Sequence, residues 1–129
     1  MESSLDLSEL AVLYVEDEPV ARMSIGAFLK RQVATLYTGE NGKEGFELFT
    51  THRPQVVITD LEMPVMNGME MIRRIREVDN GTPIIITTAY DDEAHRCDLA
   101  NRVILKPIIF NDLLQQITEC LKVRENNGP

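Results

Sequence analysis

This chain has no basic stripe, no long apolar run and no paired-cysteine motif, and each absence removes a class of function. Its 13 Lys+Arg stand against 21 Asp+Glu, a formal net charge of -8. That balance argues against nucleic-acid binding, which needs clustered cations to neutralise phosphates. The longest apolar stretches, such as Ile84 to Ile86 and Val103 to Leu105, are far shorter than a membrane span. The segment Met1 to Leu7 is acidic and lacks the apolar stretch of a secretory leader, so a cytoplasmic location is expected. Cys97 and Cys120 stand alone, without a CxxC or a His at ligand spacing, which predicts free thiols with no chemical role. Internal repeats and low-complexity tracts are also missing. What is there is a chain of 129 residues, 43% hydrophobic, enough for one domain with a proper core and too short for a second.

Five apolar runs alternate with helical patterns: Leu10 to Val15, Val33 to Tyr37, Val56 to Thr59, Ile84 to Thr87 and Val103 to Leu105. Their hydrophobicity is continuous rather than alternating, as in strands buried on both faces, so an α/β fold with a parallel sheet between helices is expected. Pro19 suits a first helical turn, after which Ala21, Ile25, Phe28 and Leu29 share one face. Asn41 and Gly42 open a second helix carrying Phe46 and Phe49. Met69, Ile72 and Ile75 repeat the pattern from Gly68 to Val78, and Asn80, Gly81 and Pro83 stop it. Asn111 is expected to cap the last helix, whose core stripe is Leu113, Leu114, Ile117 and Leu121. These boundaries predict an extension over residues 1–8, one domain over 9–123, and a polar tail or linker stub over 124–129.

Three of the runs end in charge. The first passes straight into Glu16, Asp17, Glu18 and Pro19, the third ends at Asp60, and the fifth ends in Lys106 and Pro107. With right-handed crossovers in a doubly wound sheet, the strand order 2-1-3-4-5 sets the first and third strands side by side, and ligands bind at that switch point. Carboxylates from Glu16, Asp17 and Asp60 would then converge at one edge, which is costly unless a cation or a phosphorylated group sits among them. Oxygen ligands of this kind suit Mg²⁺, a small hard ion that favours octahedral coordination. With Mg²⁺ and Lys106 neutralising the cluster, Asp60 can attack a phosphoryl group while Thr88, at the fourth strand's tip, donates to its oxygens. Singly, each residue has a plainer reading: Glu16 and Asp17 as groups favouring a helix N-terminus, Lys106 as a surface lysine, Pro107 as a turn residue, Thr88 as a strand-end hydroxyl. Jointly, four strand ends supply groups suited to one Mg²⁺ and phosphate site.

The segments VEDEP, VVITDLEMPVMNG, TTA and KP, in this order and spacing, resemble the receiver domain of two-component signalling, the response-regulator or chemotaxis-regulator type, over roughly Leu10 to Leu121. The resemblance implies a flavodoxin-like fold in which Asp60 is the phosphoacceptor, supplied by a histidine kinase or a histidine phosphotransfer protein. It further implies that Glu16, Asp17, Asp60 and the main-chain carbonyl of Glu62 hold Mg²⁺. Thr88 would be the switch hydroxyl, Lys106 the phosphoryl contact, and the Lys106–Pro107 bond cis. A C-terminal output domain or a downstream protein would read the change. In such domains the residues two after the phosphoacceptor (Glu62) and two after the switch threonine (Tyr90) flank the path of the hydrolytic water. Tyr90 is thus either a shield that slows hydrolysis or merely exposed loop.

Two departures from the family pattern shape the expectations. Val103 occupies the position that often carries an aromatic reporter of phosphorylation. The stretch from Ala89 to Arg102 is also short, and its Ala94, Cys97, Leu99 pattern predicts a trimmed or irregular fourth helix, with raised mobility over Tyr90 to Asn101 and an altered partner surface. Two other functions compete. An aspartate-nucleophile Mg²⁺ phosphatase of the haloacid dehalogenase type needs a second Asp two positions after the nucleophile, but Asp17 is followed by Glu18 and Pro19, and Asp60 by Leu61 and Glu62. A phosphate-independent interaction module is disfavoured by the intact Asp60, Asp17 and Lys106. The domain is therefore expected to be a signalling module and not an enzyme acting on a metabolite.

Overall fold

The computed structural model describes residues 6–91 and 97–126, with side chains described as far as residue 122. Five parallel strands form one sheet in the order β2-β1-β3-β4-β5: β1 (Ala11–Val15), β2 (Thr35–Gly39), β3 (Val56–Asp60), β4 (Ile84–Thr88) and β5 (Arg102–Leu105). The helices are α1 (Pro19–Lys30), α2 (Gly42–His52), α3 (Gly68–Val78) and α4 (Phe110–Asn126), preceded by a short 3-10 turn at Leu7–Glu9. The α/β class and the strand order are those read from the sequence.

Alternation along the strands divides the core into two halves. Val12 and Tyr14 of β1, Val56 and Ile58 of β3, Ile85 of β4 and Ile104 of β5 face Ile25 and Leu29 of α1 and Leu113 and Ile117 of α4. The opposite residues Leu13, Val15, Val57, Ile84 and Ile86 face Phe49 of α2 and Met71, Ile72 and Ile75 of α3. Each fully buried aliphatic side chain of this kind contributes about 1.5–3 kcal/mol relative to exposure. Because both faces of the central strands are covered, their runs read as unbroken hydrophobic text.

Helix starts are set by side chains that accept the orphan amides of the first turn. Asn41 accepts from Glu44 N and Asn67 from Glu70 N, both at 2.9 Å. At α1 the cap is Glu18, which accepts from Val20 N at 3.1 Å and Ala21 N at 2.8 Å. Capping therefore falls on Glu18 and not on Asp17.

Several expected boundaries are corrected. β2 covers Thr35–Gly39 rather than Val33 to Tyr37. Val33 is buried, but its amide donates to Leu29 O at 3.1 Å, so it belongs to the turn leaving α1 and not to the ladder. Asn111 does not cap α4: the helix begins at Phe110, whose ring stacks on Phe28 with centroids 4.1 Å apart, and Leu113 N donates to Ile109 O at 3.0 Å. That aromatic contact anchors the helix before Asn111. The same helix runs to Asn126, beyond the tail boundary expected at 123.

Between β4 and β5, the described residues hold no helix. Cys97 to Ala100 make a turn closed by Ala100 N on Cys97 O at 3.0 Å, while 92–96, including Ala94 of the expected helix, lie outside the described residues. The far end of this stretch is firmly tied. Asn101 N donates to Ile84 O and Ile84 N to Asn101 Oδ1, each at 2.8 Å. Arg76 then donates to Leu99 O at 2.8 Å and to Asn101 Oδ1 at 3.1 Å. Cys97 and Cys120 are free thiols.

Candidate functional site

Adjacency of β1 and β3 brings the site together. Val15 pairs with Thr59, so the residues just beyond, Glu16 and Asp60, are neighbours at the sheet's carboxyl edge. Carboxylate oxygens of Glu16, Asp17 and Asp60 all lie within 4.8 Å of one another. Lys106, just past β5, reaches into the same cluster: its Nζ stands 3.0 Å from Glu16 Oε1 and 3.2 Å from Asp60 Oδ2. Of the four residues that the sequence placed at strand tips, the three carboxylates are therefore in mutual reach, and Lys106 contacts Glu16 and Asp60. The Lys106–Pro107 peptide is cis.

Local contacts fix each member. Glu16 is fully buried, with its second oxygen accepting from Glu18 N at 3.1 Å. Asp60 is half-buried, and its Oδ1 accepts from Leu61 N at 2.7 Å, leaving Oδ2 toward Lys106. Behind it, Gly68 opens α3 against the Asp60 backbone. A Cβ there would lie 2.2 Å from Asp60 O, and Gly68 N donates to Leu61 O at 2.7 Å, so only glycine admits this approach. Within the same loop, exposed Val65 has φ 69° beside a tight turn in which Met66 N donates to Pro64 O at 2.7 Å. A β-branched residue in the left-handed region is strained, a feature that clusters beside functional sites.

Electrostatics follow from this packing. Burial pushes the Glu16 carboxyl above its usual range, against the lowering effect of the Glu18 amide and Lys106; the Asp60 charge adds to the rise. For Lys106, burial works to depress the ammonium, but its bond to Glu16 and the charges of Asp60 and Glu16 outweigh it and the net shift is upward. Lys106 is thus held as a cation among carboxylates. Tyr14, beneath the site, is pushed upward by burial and then by the Glu16 and Asp60 charges, and its hydroxyl has no partner among the described residues.

The remaining residues named from the sequence lie around this cluster. Thr88 is buried at the tip of β4, its Oγ1 accepting from Tyr90 N at 3.2 Å. In register, Asp60 is paired with Thr87 rather than Thr88. Thr88 O accepts the Lys106 amide at 2.7 Å, so the two strand ends are joined through the backbone. Glu62 is exposed in the loop after β3, and Tyr90 is half exposed. Arg22, which the sequence did not single out, donates through Nη1 to Glu16 O at 2.8 Å and Asp17 O at 3.3 Å. Its only sequence signal is its place one turn after Glu18, a spacing that many solvated arginines share.

Hard oxygen donors from three carboxylates, within reach of a common point, fit Mg²⁺ rather than a softer ion. An adjacent ammonium further suits the pocket edge to an anionic group bearing phosphoryl oxygens.

Comparison with known proteins agrees with this arrangement. The family model described as the response regulator receiver domain matches residues 12–118. The protein-glutamate methylesterase/protein-glutamine glutaminase of Bacillus subtilis is 33% identical over 92 residues, 70% of this chain and 26% of that protein. Regulatory protein AtoC of Escherichia coli is 30% identical over 118 residues, 88% of this chain and 25% of that protein. The chain thus spans about a quarter of the length of these two relatives. The crystal structure of a response regulator receiver domain protein from Clostridium thermocellum superposes with a TM-score of 0.84 at 25% identity, covering 92% of this chain and 99% of that one. Among the described residues, no helix is long and apolar enough to cross a membrane. Sheet order, strand-tip carboxylates and a match over most of the sequence together establish that the chain belongs to the response regulator receiver domain family of two-component signalling.

Proposed function

We propose that Asp60 is the phosphoacceptor of this receiver domain and that a histidine kinase or histidine phosphotransfer protein supplies the group. An Asp60 oxygen attacks phosphorus, the P–N bond to the donor imidazole breaks, and the imidazole leaves with the bonding pair and takes up a proton. The observation that carries the reading is the reach of Lys106 to both Glu16 and Asp60, at 3.0 and 3.2 Å, beside a three-carboxylate cluster. Glu16, Asp17, Asp60 and the main-chain carbonyl of Glu62 would hold Mg²⁺, which supplies the charge neutralisation that lets an anionic phosphoryl group approach. Lys106 follows the new phosphoryl oxygens, and Thr88 turns its hydroxyl toward them. That movement is what a partner or output segment reads. The domain acts on no metabolite, and its setting is cytoplasmic.

Incubation with a small acyl phosphate and Mg²⁺, followed by intact mass measurement, tests this. Wild type should gain one phosphoryl group and Asp60→Asn none. Equal labelling of both would remove Asp60 from the reaction, and no labelling of either would favour an interaction module that works without phosphate. Tyr90, half exposed and joined through its main-chain amide to the Thr88 hydroxyl, bears on lifetime. Tyr90→Glu should lose its phosphoryl group faster than wild type, and equal decay would leave Tyr90 as loop alone.

A further inference from the structure

We propose that Arg22 is a positioning residue for the acidic pair Glu16 and Asp17, holding their loop in the shape that binds the divalent cation; this rests on the phosphoacceptor reading above. Arg22 sits one turn into α1, its own amide on Glu18 O at 2.9 Å. Its guanidinium folds back over the helix start, and Nη1 donates to Glu16 O at 2.8 Å and Asp17 O at 3.3 Å. From the other side, Glu16 N donates to Gly39 O at 3.0 Å, and Arg22 Nη2 lies 3.9 Å from Glu40 Oε2. The peptides that carry both carboxylates are therefore pinned between α1 and the end of β2. Among the described residues the Asp17 carboxylate makes no hydrogen bond or ion pair of its own, so its direction depends on that backbone.

Charge alone argues for the opposite effect, and this makes the inference decidable. A guanidinium on the main-chain carbonyls of Glu16 and Asp17 repels a divalent cation held by their side chains, so if Arg22 acted only through its charge, removing it would tighten Mg²⁺ binding. If Arg22 acts by holding the two carbonyls, removing it loosens binding. Partners of this outer kind typically change metal affinity by about tenfold or more. Lysine keeps the charge but lacks the planar fork, so it should restore only part of the effect.

Calorimetric titration of Mg²⁺ into wild type, Arg22→Ala and Arg22→Lys, with folding checked by circular dichroism, provides the test. The expected result is affinity about tenfold weaker in Arg22→Ala and a few-fold weaker in Arg22→Lys. Acyl-phosphate uptake at saturating Mg²⁺ should stay within about twofold of wild type, because the reacting groups are untouched. Unchanged or tighter Mg²⁺ binding by Arg22→Ala overturns the proposal. Should that variant fail to fold, wild-type affinity in Arg22→Lys overturns it instead. A wild type that binds no Mg²⁺ sinks the underlying phosphoacceptor reading as well, whereas equal binding by all three proteins removes only the role of Arg22.

Discussion

The two ends of the sheet use arginine in the same way and for opposite purposes. At the amino edge, Arg76 donates to Leu99 O, to Thr82 O at 2.7 Å and to Asn101 Oδ1, closing the end of α3 onto the approaches to β4 and β5. These donors meet oxygens, and Asn101 in turn pairs with Ile84. At the carboxyl edge Arg22 again binds main-chain carbonyls, but beside three carboxylates that repel one another. One end is tied together by hydrogen bonds to neutral oxygens. The other keeps a repulsion that Lys106 offsets in part and a bound cation would relieve further, as functional sites commonly do.

If that contrast is right, substitutions at the two ends should differ in sign. The largest effect is expected for Arg76→Ala, which strips partners from several carbonyls and from Asn101. Loss of about 2–3 kcal/mol should appear as a lower urea midpoint, and a change below about 0.5 kcal/mol would break the comparison. At the other end, Asp17→Asn should raise stability by about 1 kcal/mol in metal-free buffer by removing one of three like charges, with the gain shrinking or reversing as Mg²⁺ is added. Destabilisation without metal would show that the cluster is not under strain.

Tyr14→Phe sharpens the same point, since the unpartnered hydroxyl lies under the charged edge. A gain of about 1 kcal/mol at neutral pH is expected. The alkaline limb carries a sign of its own. The folded-state phenol is raised above its ordinary value, so its contribution is whole below about pH 10; above that, the unfolded chain ionises first and stability falls by about 1.4 kcal/mol per pH unit. The Tyr14→Phe variant should show a flatter curve over that range in denaturant titrations. The smallest effect is expected at a site remote from both ends. In Gly26→Ala the new Cβ would meet Leu36 Cδ2 at 3.8 Å and Thr38 Cγ2 at 4.0 Å, ordinary contacts, so helix propensity alone should add about 0.5–1 kcal/mol to the thermal or urea stability.

How much of this was legible beforehand depends on the range of the interaction concerned. Strands buried on both faces are written as continuous apolar runs, and the opening of α2 at Asn41 is visible because its cap acts on an amide three residues away. The β2 boundary was misplaced because Val33 is apolar for reasons of burial, while membership of a strand depends on a partner the text does not show. The start of α4 was misplaced because its anchor, Phe28, lies in another helix. Arg22 is silent in the sequence because an arginine on a helix reads as solvated surface until its oxygen partners are located.

By itself, the sequence determined the βα repeat, the parallel sheet and the identity of the charged residues at its strand tips, since periodicity and turn chemistry are local properties of a chain. Only the tertiary structure decided that Glu18 caps α1 while Glu16 turns inward, that Arg22 holds the acidic loop, and that Lys106 meets Glu16 across 90 residues. The physical reason is that a carboxylate's partner is chosen by distance in space, which the packing of the helices on the sheet sets and the linear order of residues does not.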